Sequence, residues 1–158
     1  MASKTLCKLV RFAVVFTAIC GLIACASLPA IGSTVANNFP EYTHLYLPWL
    51  IFLWLTSLPF FALLVLIWKM STAIKDEKVF TLPSARIVRI CAMILFGASG
   101  FFIIGNIAFL LLGMSHPGIL FLSLIADVFV IALAVLLAVL SRYLTKAAAL
   151  QEEADGFI

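Results

Sequence analysis

A single carboxylate lies in the middle of the most apolar region of the chain. Asp127 belongs to the run SLIADVFVIALAV, residues 123–135. An ionised carboxylate at hydrocarbon depth costs about 3 kcal/mol or more, so this side chain should face other helices, bind a partner or keep its proton. Two interpretations stay open. Asp127 fixes helix packing through a hydrogen bond, or it binds an ion, a proton or a small ligand.

Polar residues upstream are the candidate partners of Asp127. The turn GMSHPG, residues 113–118, is so short that the segments flanking it must form an antiparallel hairpin. Counted from a turn centre near residue 116, Asn106 is ten residues away and Asp127 eleven, which predicts the same depth for both. The predicted intramembrane polar site comprises Asp127, Asn106 and Ser99.

Composition indicates that membrane-spanning helices carry these side chains. The 158 residues are 65% hydrophobic and 11% charged, against about 25% charged residues in soluble domains. Four apolar runs each reach the length of about 20 helical residues that crosses a hydrocarbon core. The runs lie at residues 12–31, 48–68, 87–112 and 119–140. We predict an all-α, four-helix transmembrane bundle as a single domain over 1–158, with a tail at 141–158.

The basic residues predict an orientation. All ten Lys and Arg residues fall on one side of a four-span topology, and such residues are retained on the cytoplasmic side. Both termini are therefore expected in the cytoplasm, with the four spans in the inner (plasma) membrane of the cell. The net charge of +3 then reflects topology, and no direct binding of nucleic acid is expected.

Small residues in the first span predict a packing surface. Ala13, Thr17, Gly21 and Cys25 recur every four residues, which lets helix backbones approach closely. Packing against another span of the same chain is favoured over a homodimer contact. The segment LIACAS also resembles a processing site, with cleavage at Cys25 or Ala26 as the alternative to an intact first span.

Catalytic motifs are missing from the sequence. It has no glycine-rich phosphate loop, no HExxH and no pair of intramembrane aspartates, so we expect neither an enzyme nor a cofactor. Glu41, His44 and His116 match no metal-ligand spacing and are interpreted as solvated loop residues.

The tail predicts a surface for a partner. Tyr143, Ala147 and Leu150 begin a four-three apolar spacing that indicates a helix continuing from the fourth span. Negative charge collects at its C-terminal end, where the helix dipole makes it unfavourable and a basic partner would relieve it. The predicted partner-binding residues are Leu150, Glu152, Glu153, Asp155 and Phe157. Lys75 and Lys78 of the same chain are the internal alternative.

The order of motifs resembles a known family. FPEY and LYLPWL precede or enter span two, WKMSTAI leaves it, KVFTLPSARIVRI enters span three, and LQEEADGFI ends the chain. Together they resemble the YoaS-like domain-of-unknown-function family of small bacterial four-span membrane proteins. The resemblance implies a small Cro/CI-type helix-turn-helix regulator as a partner, although ADGFI stands where a more polar ending is usual.

These observations predict a regulatory protein, surrounded by membrane lipid, that engages a cytoplasmic partner. The loop at 69–86 and the tail at 141–158 form the expected contact, because they supply most of the extramembrane mass. The alternative is binding or transport of a small molecule, a lipid or an ion within the bundle, centred on Asp127.

Overall fold

Four long helices make up the fold. A computed structural model describes residues 2–75 and 79–156, without the side chains at 2, 3 and 155. The helices are α1 (Ala2–Asn38), α2 (Thr43–Lys75), α3 (Leu82–Leu111) and α4 (Pro117–Gly156), with a 3-10 turn at Pro40–Tyr42. The described residues contain no strand, and all four helices are long and apolar enough to cross a membrane. The all-α four-helix prediction is confirmed.

The helices are longer than the apolar runs that predict them. With 30 to 40 residues each, they extend about 45 to 60 Å, against a hydrocarbon core of about 30 Å. The segment 32–47 lies between the first two predicted runs, and it is mostly helical, since α1 continues to Asn38 and α2 begins at Thr43. Hydropathy marks where a helix meets lipid, whereas helical hydrogen bonding continues into polar sequence.

Each helix packs against its neighbours in the chain. Helix α1 contacts α2, α2 contacts α3, and α3 contacts α4, and in the described chain α1 and α4 do not contact each other. The protein is therefore two antiparallel hairpins, α1–α2 and α3–α4, joined through α2 and α3. This arrangement brings the described basic residues to the end that carries both termini. There Arg11 donates hydrogen bonds to Ser71 and Thr72 and lies 5.0 Å from the ring centre of Trp68.

The contact face of α1 differs from the predicted strip of small residues. Gly21 and Cys25 are half-buried against α2, and a Cβ on Gly21 would lie 3.3 Å from the ring of Phe61. Ala13 and Thr17 are exposed instead. Four residues of an α-helix rotate about 400° around its axis, which is about 40° more than a full turn. Residues spaced strictly by four therefore move away from one face of the helix by about 40° at each step. Packing continues through Val14, in alternating steps of three and four.

The ring of Phe52 packs at the joint between the two hairpins. Phe52 of α2 is buried and lies 5.6 Å from the ring of Phe101, 5.8 Å from that of Phe102 and 5.1 Å from that of Phe109. Its ring lies against Gly105 of α3, where an added Cβ would overlap it. Gly105 is therefore required by close approach, because neighbouring rings leave Phe52 little room to move.

Small residues bring α3 and α4 together. Ala92 and Ala98 of α3 and Ala134 of α4 are buried, and Ala85 and Leu144 belong to one apolar cluster. Such residues allow close backbone approach where lipid removes the hydrophobic drive for helix association. Leu144 lies beyond the predicted span, so α4 remains packed on α3 along its extension.

A glycine series tests the joint between the hairpins. Gly105→Ala should lower the free energy of unfolding by about 1–3 kcal/mol, because the methyl group overlaps the enclosed ring of Phe52. The matched control is Gly100→Ala, also within α3, where a Cβ meets nothing within 4 Å. That change should be neutral or stabilising, since alanine favours helix. Thermal unfolding in detergent measures both, and equal behaviour would contradict the packing.

Candidate intramembrane polar site

Asp127 is buried and hydrogen-bonded across the α3–α4 interface. Its side chain is 3% exposed, and Oδ2 accepts a hydrogen bond of 2.6 Å from the hydroxyl of Ser99 on α3. Ser99 is buried as well. A short bond of this kind between two buried groups needs close helices, which the neighbouring Ala98 permits. The carboxylate therefore faces protein, and α3 supplies its partner.

Asn106 does not share in this bond. Its amide donates to the carbonyl of Phe102 in its own helix, at 2.8 Å, although the side chain is buried. The expected pairing with Asp127 used a turn centre near residue 116, whereas α3 ends at Leu111 and α4 begins at Pro117. That places the centre near residue 114.

The corrected turn centre accounts for the observed register. From residue 114, Asp127 is 13 residues away and Ser99 is 15, but Asn106 is only 8. Residues at similar distances from the turn of an antiparallel hairpin lie at similar depth, so Ser99 meets the carboxylate. Moving the turn centre by two residues shortens the distance to a residue of α3 by two and lengthens the distance to Asp127 by two. The predicted partner of Asp127 therefore shifts by four residues along α3.

A small cavity adjoins the carboxylate, which we call the Asp127 pocket. It has a volume of about 180 Å³ and is bounded by α2, α3 and α4. Its lining residues are Thr56, Phe60, Ala98, Ser99, Phe102, Ala126, Asp127 and Val130. Thr56 was not predicted, and its only sequence signal is that of a polar residue inside an apolar span. The volume lies below the roughly 300 Å³ of drug-sized ligand pockets and suits an ion with water or a very small molecule.

The hydrogen bonds leave part of the carboxylate unused. Ser99 donates to Oδ2, while no described residue donates to Oδ1. The hydroxyl of Thr56 donates to the carbonyl of Phe52, at 2.8 Å. The pocket therefore offers one carboxylate oxygen with spare capacity, surrounded mostly by apolar side chains.

The tail continues as helix, with its polar end exposed. Helix α4 runs to Gly156, and Leu150, Glu152 and Glu153 are all exposed. The side chain of Asp155 and all of Phe157 lie outside the described residues. Neither glutamate pairs with a cation in the described part of the chain, so the internal pairing through Lys75 is not observed. Lys78 also lies outside the described residues.

A family model, described as a protein of unknown function (DUF2975), matches residues 30–158. The chain belongs to the DUF2975 family. This confirms the resemblance to a domain-of-unknown-function family of small membrane proteins, and the DUF2975 match includes the whole of α2, α3 and described α4. No curated protein and no solved structure matches the chain.

The Ser99–Asp127 bond can be measured by a mutant cycle. Ser99→Ala and Asp127→Leu should each lower the free energy of unfolding by about 0.6–2 kcal/mol and be non-additive together. Asp127→Asn keeps an acceptor for Ser99 and should cost less. Ser123→Ala is the control, because that hydroxyl donates to Leu120 within its own helix. Additive effects in a reversible unfolding assay would show that the two side chains do not interact.

Proposed function

We propose that this DUF2975 protein is a non-catalytic regulatory protein of the bacterial inner membrane, with both termini in the cytoplasm. It engages a partner through the tail at 141–158 and the loop at 69–86. The observation that carries the proposal is the extension of α4 beyond the fourth apolar run, 119–140, as an uninterrupted helix to Gly156. This extension presents apolar and acidic side chains that nothing in the described chain covers.

The apolar part of the tail surface lies too far from the bilayer to be covered by lipid. Leu150 is 67% exposed and lies ten residues past the end of the fourth apolar run, or about 15 Å along the helix. Burying a leucine against a partner contributes about 1.5–3 kcal/mol. Tyr143, 66% exposed, lies on the membrane side of this leucine, while Leu144 and Ala148 hold the opposite face against α3.

The acidic part of the surface favours a basic partner. Glu152 and Glu153 lie in the last turns of α4, where the helix dipole disfavours negative charge. A helix-turn-helix regulator has a basic face for DNA, so an acidic tail would compete with phosphate for it. Binding would hold such a regulator at the membrane and away from its operator.

Point variants test this tail without disturbing the fold. A chain ending at Tyr143 would also lose the packing of Leu144 and Ala148, so we would combine Leu150→Ser with Glu152→Gln and Glu153→Gln. Leu6→Ser is the control, because Leu6 is an exposed leucine at the start of α1. Each protein is expressed with its neighbouring genes and recovered from membranes.

The triple variant should recover at least about tenfold less of a helix-turn-helix partner, since about 1.4 kcal/mol corresponds to tenfold in affinity. The Leu6→Ser protein should recover as much as the unaltered chain. Equal recovery by all three proteins, or recovery of no regulator by any, would contradict the proposal.

A second candidate function rests on the Asp127 pocket. The observation that supports it is that Oδ1 of Asp127 receives no hydrogen bond from the described residues. The Asp127 side chain also lines a cavity of about 180 Å³. Intramembrane acids commonly mark ion or proton sites. In this alternative, the bundle binds or carries a proton or a small cation.

Proteoliposomes distinguish this candidate. Flux of protons or K⁺ should be lost in Asp127→Asn, which keeps an acceptor for Ser99 but removes the charge. It should persist in Ser123→Ala, whose hydroxyl is bonded within its own helix. Absence of flux through the unaltered protein, or equal flux through Asp127→Asn, would exclude transport at this site.

A further inference from the structure

A larger cavity lies at the end of the bundle opposite the termini, and we call it the turn-end pocket. It has a volume of about 580 Å³ and lies between the end of α1, the start of α2 and the turn that joins α3 to α4. Residues from all three segments line it, among them Val35, Tyr46, Trp49, Ser115 and His116. The volume falls within the range of about 300–1,000 Å³ that is typical of sites for small molecules.

Specific contacts hold the walls of this pocket in place. The ring of Tyr46 lies against Gly32, and its hydroxyl donates to the carbonyl of Pro29 at 3.4 Å. The indole N–H of Trp49 donates to the carbonyl of Met114 at 3.0 Å. Because these bonds connect α1 to α2 and α2 to the turn, they fix the three segments that border the cavity.

The pocket has a polar end at the turn. The backbone N–H of Gly118 donates to Nδ1 of His116 at 3.1 Å, which leaves Nε2 as the hydrogen-bond donor of the ring. The hydroxyl of Ser115 has no hydrogen-bond partner among the described residues and is covered by protein, so a rotation of its χ1 angle would present it to the cavity. An unpaired buried hydroxyl is costly, and an acceptor on an occupant would satisfy it. Among the described residues, no Lys, Arg, Asp or Glu lines the pocket.

We propose that the turn-end pocket binds a hydrocarbon-chain molecule from the bilayer whose uncharged carbonyl accepts hydrogen bonds from Ser115 and His116. The apolar rim residues Ile31, Val35 and Ile119 are exposed, so in a membrane they face lipid and give a chain lateral access. No described lining residue carries a charge that could pair with a charged head group, whereas an uncharged carbonyl needs only hydrogen-bond donors. This inference does not rest on the proposed cytoplasmic partner.

Fluorescence of Trp49 reports occupancy directly. The protein, with Trp54→Phe and Trp68→Phe to leave one indole, is placed in nanodiscs of unlabelled phosphatidylcholine. A brominated fatty-acid methyl ester is added at a few mole per cent, since bromine quenches only a nearby indole. Quenching should saturate with ester, whereas random contact in the bilayer gives a linear rise. A chain that retains only Trp68, at the other end of α2, should show the linear rise.

Pocket variants distinguish binding from contact with bulk lipid. Ala36→Phe fills the cavity and should abolish the saturable component, while Ala24→Phe, on an exposed position of the same helix, should retain it. Ser115→Ala should weaken ester binding about three- to tenfold, as expected for one hydrogen bond. It should not lower thermal stability, because the hydroxyl it removes is unpaired.

The same assay contains the results that would overturn the proposal. Linear quenching of Trp49, or saturable quenching that survives Ala36→Phe, would mean that the cavity is not a binding site. A brominated alkane, which lacks the carbonyl, should bind about three- to tenfold more weakly than the ester. Equal binding of the two probes would overturn the assignment of the carbonyl acceptor to the turn.

Discussion

The packing of the Phe52 ring against Gly105 is the contact on which the rest of the helix arrangement depends. It joins α2 to α3, which in the described chain are the one pair of helices in contact between the two hairpins. Trp49 lies three residues before Phe52 and Thr56 lies four after it, so both share its side of α2. Trp49 lines the turn-end pocket and Thr56 lines the Asp127 pocket. Both cavities therefore border the same aromatic joint, one on each side.

The physical setting explains why so few contacts determine this structure. In a bilayer, apolar side chains gain little by leaving lipid for protein, so helices associate through close packing and hydrogen bonds. The buried residues of α3 and α4 are accordingly mostly small or polar, including Ala92, Ala134 and Ser141. Large apolar side chains such as Ile104 and Phe129 are exposed, as expected where lipid surrounds the protein.

Composition and length were sufficient to predict the helices, but not their contacts. Apolar runs of about 20 residues leave helices as the only spanning structure, because every backbone polar group must be paired. The burial of Asp127 could be predicted as well, because an ionised carboxylate facing hydrocarbon is costly. The partner of Asp127 could not be predicted, because the register depends on where helical hydrogen bonding stops in the turn. Hydropathy does not show that position. Ser99 was in the predicted set, yet nothing in the sequence ranked it above Asn106.

The contact face of α1 could also be predicted only in part from the sequence. The four small residues of the predicted strip are regular in sequence, but a straight helix keeps a face in steps that average 3.6 residues. Gly21 and Cys25 are half-buried against α2, whereas Ala13 is exposed. The turn-end pocket could not be predicted at all, since it needs three distant segments to meet. The indole of Trp49 and the carbonyl of Met114, which are 65 residues apart, close it.

The unbroken course of α4 has a mechanical consequence. A helix without a hinge behaves as a rod, and Gly156 lies 29 residues from Asp127, or about 44 Å along the axis. A tilt of about 10° at the carboxylate would displace the far end by about 8 Å over that length. The coupling is reciprocal. A contact that fixes the C-terminal end of α4 also shifts the geometry around the Asp127 carboxylate, by the same coupling free energy.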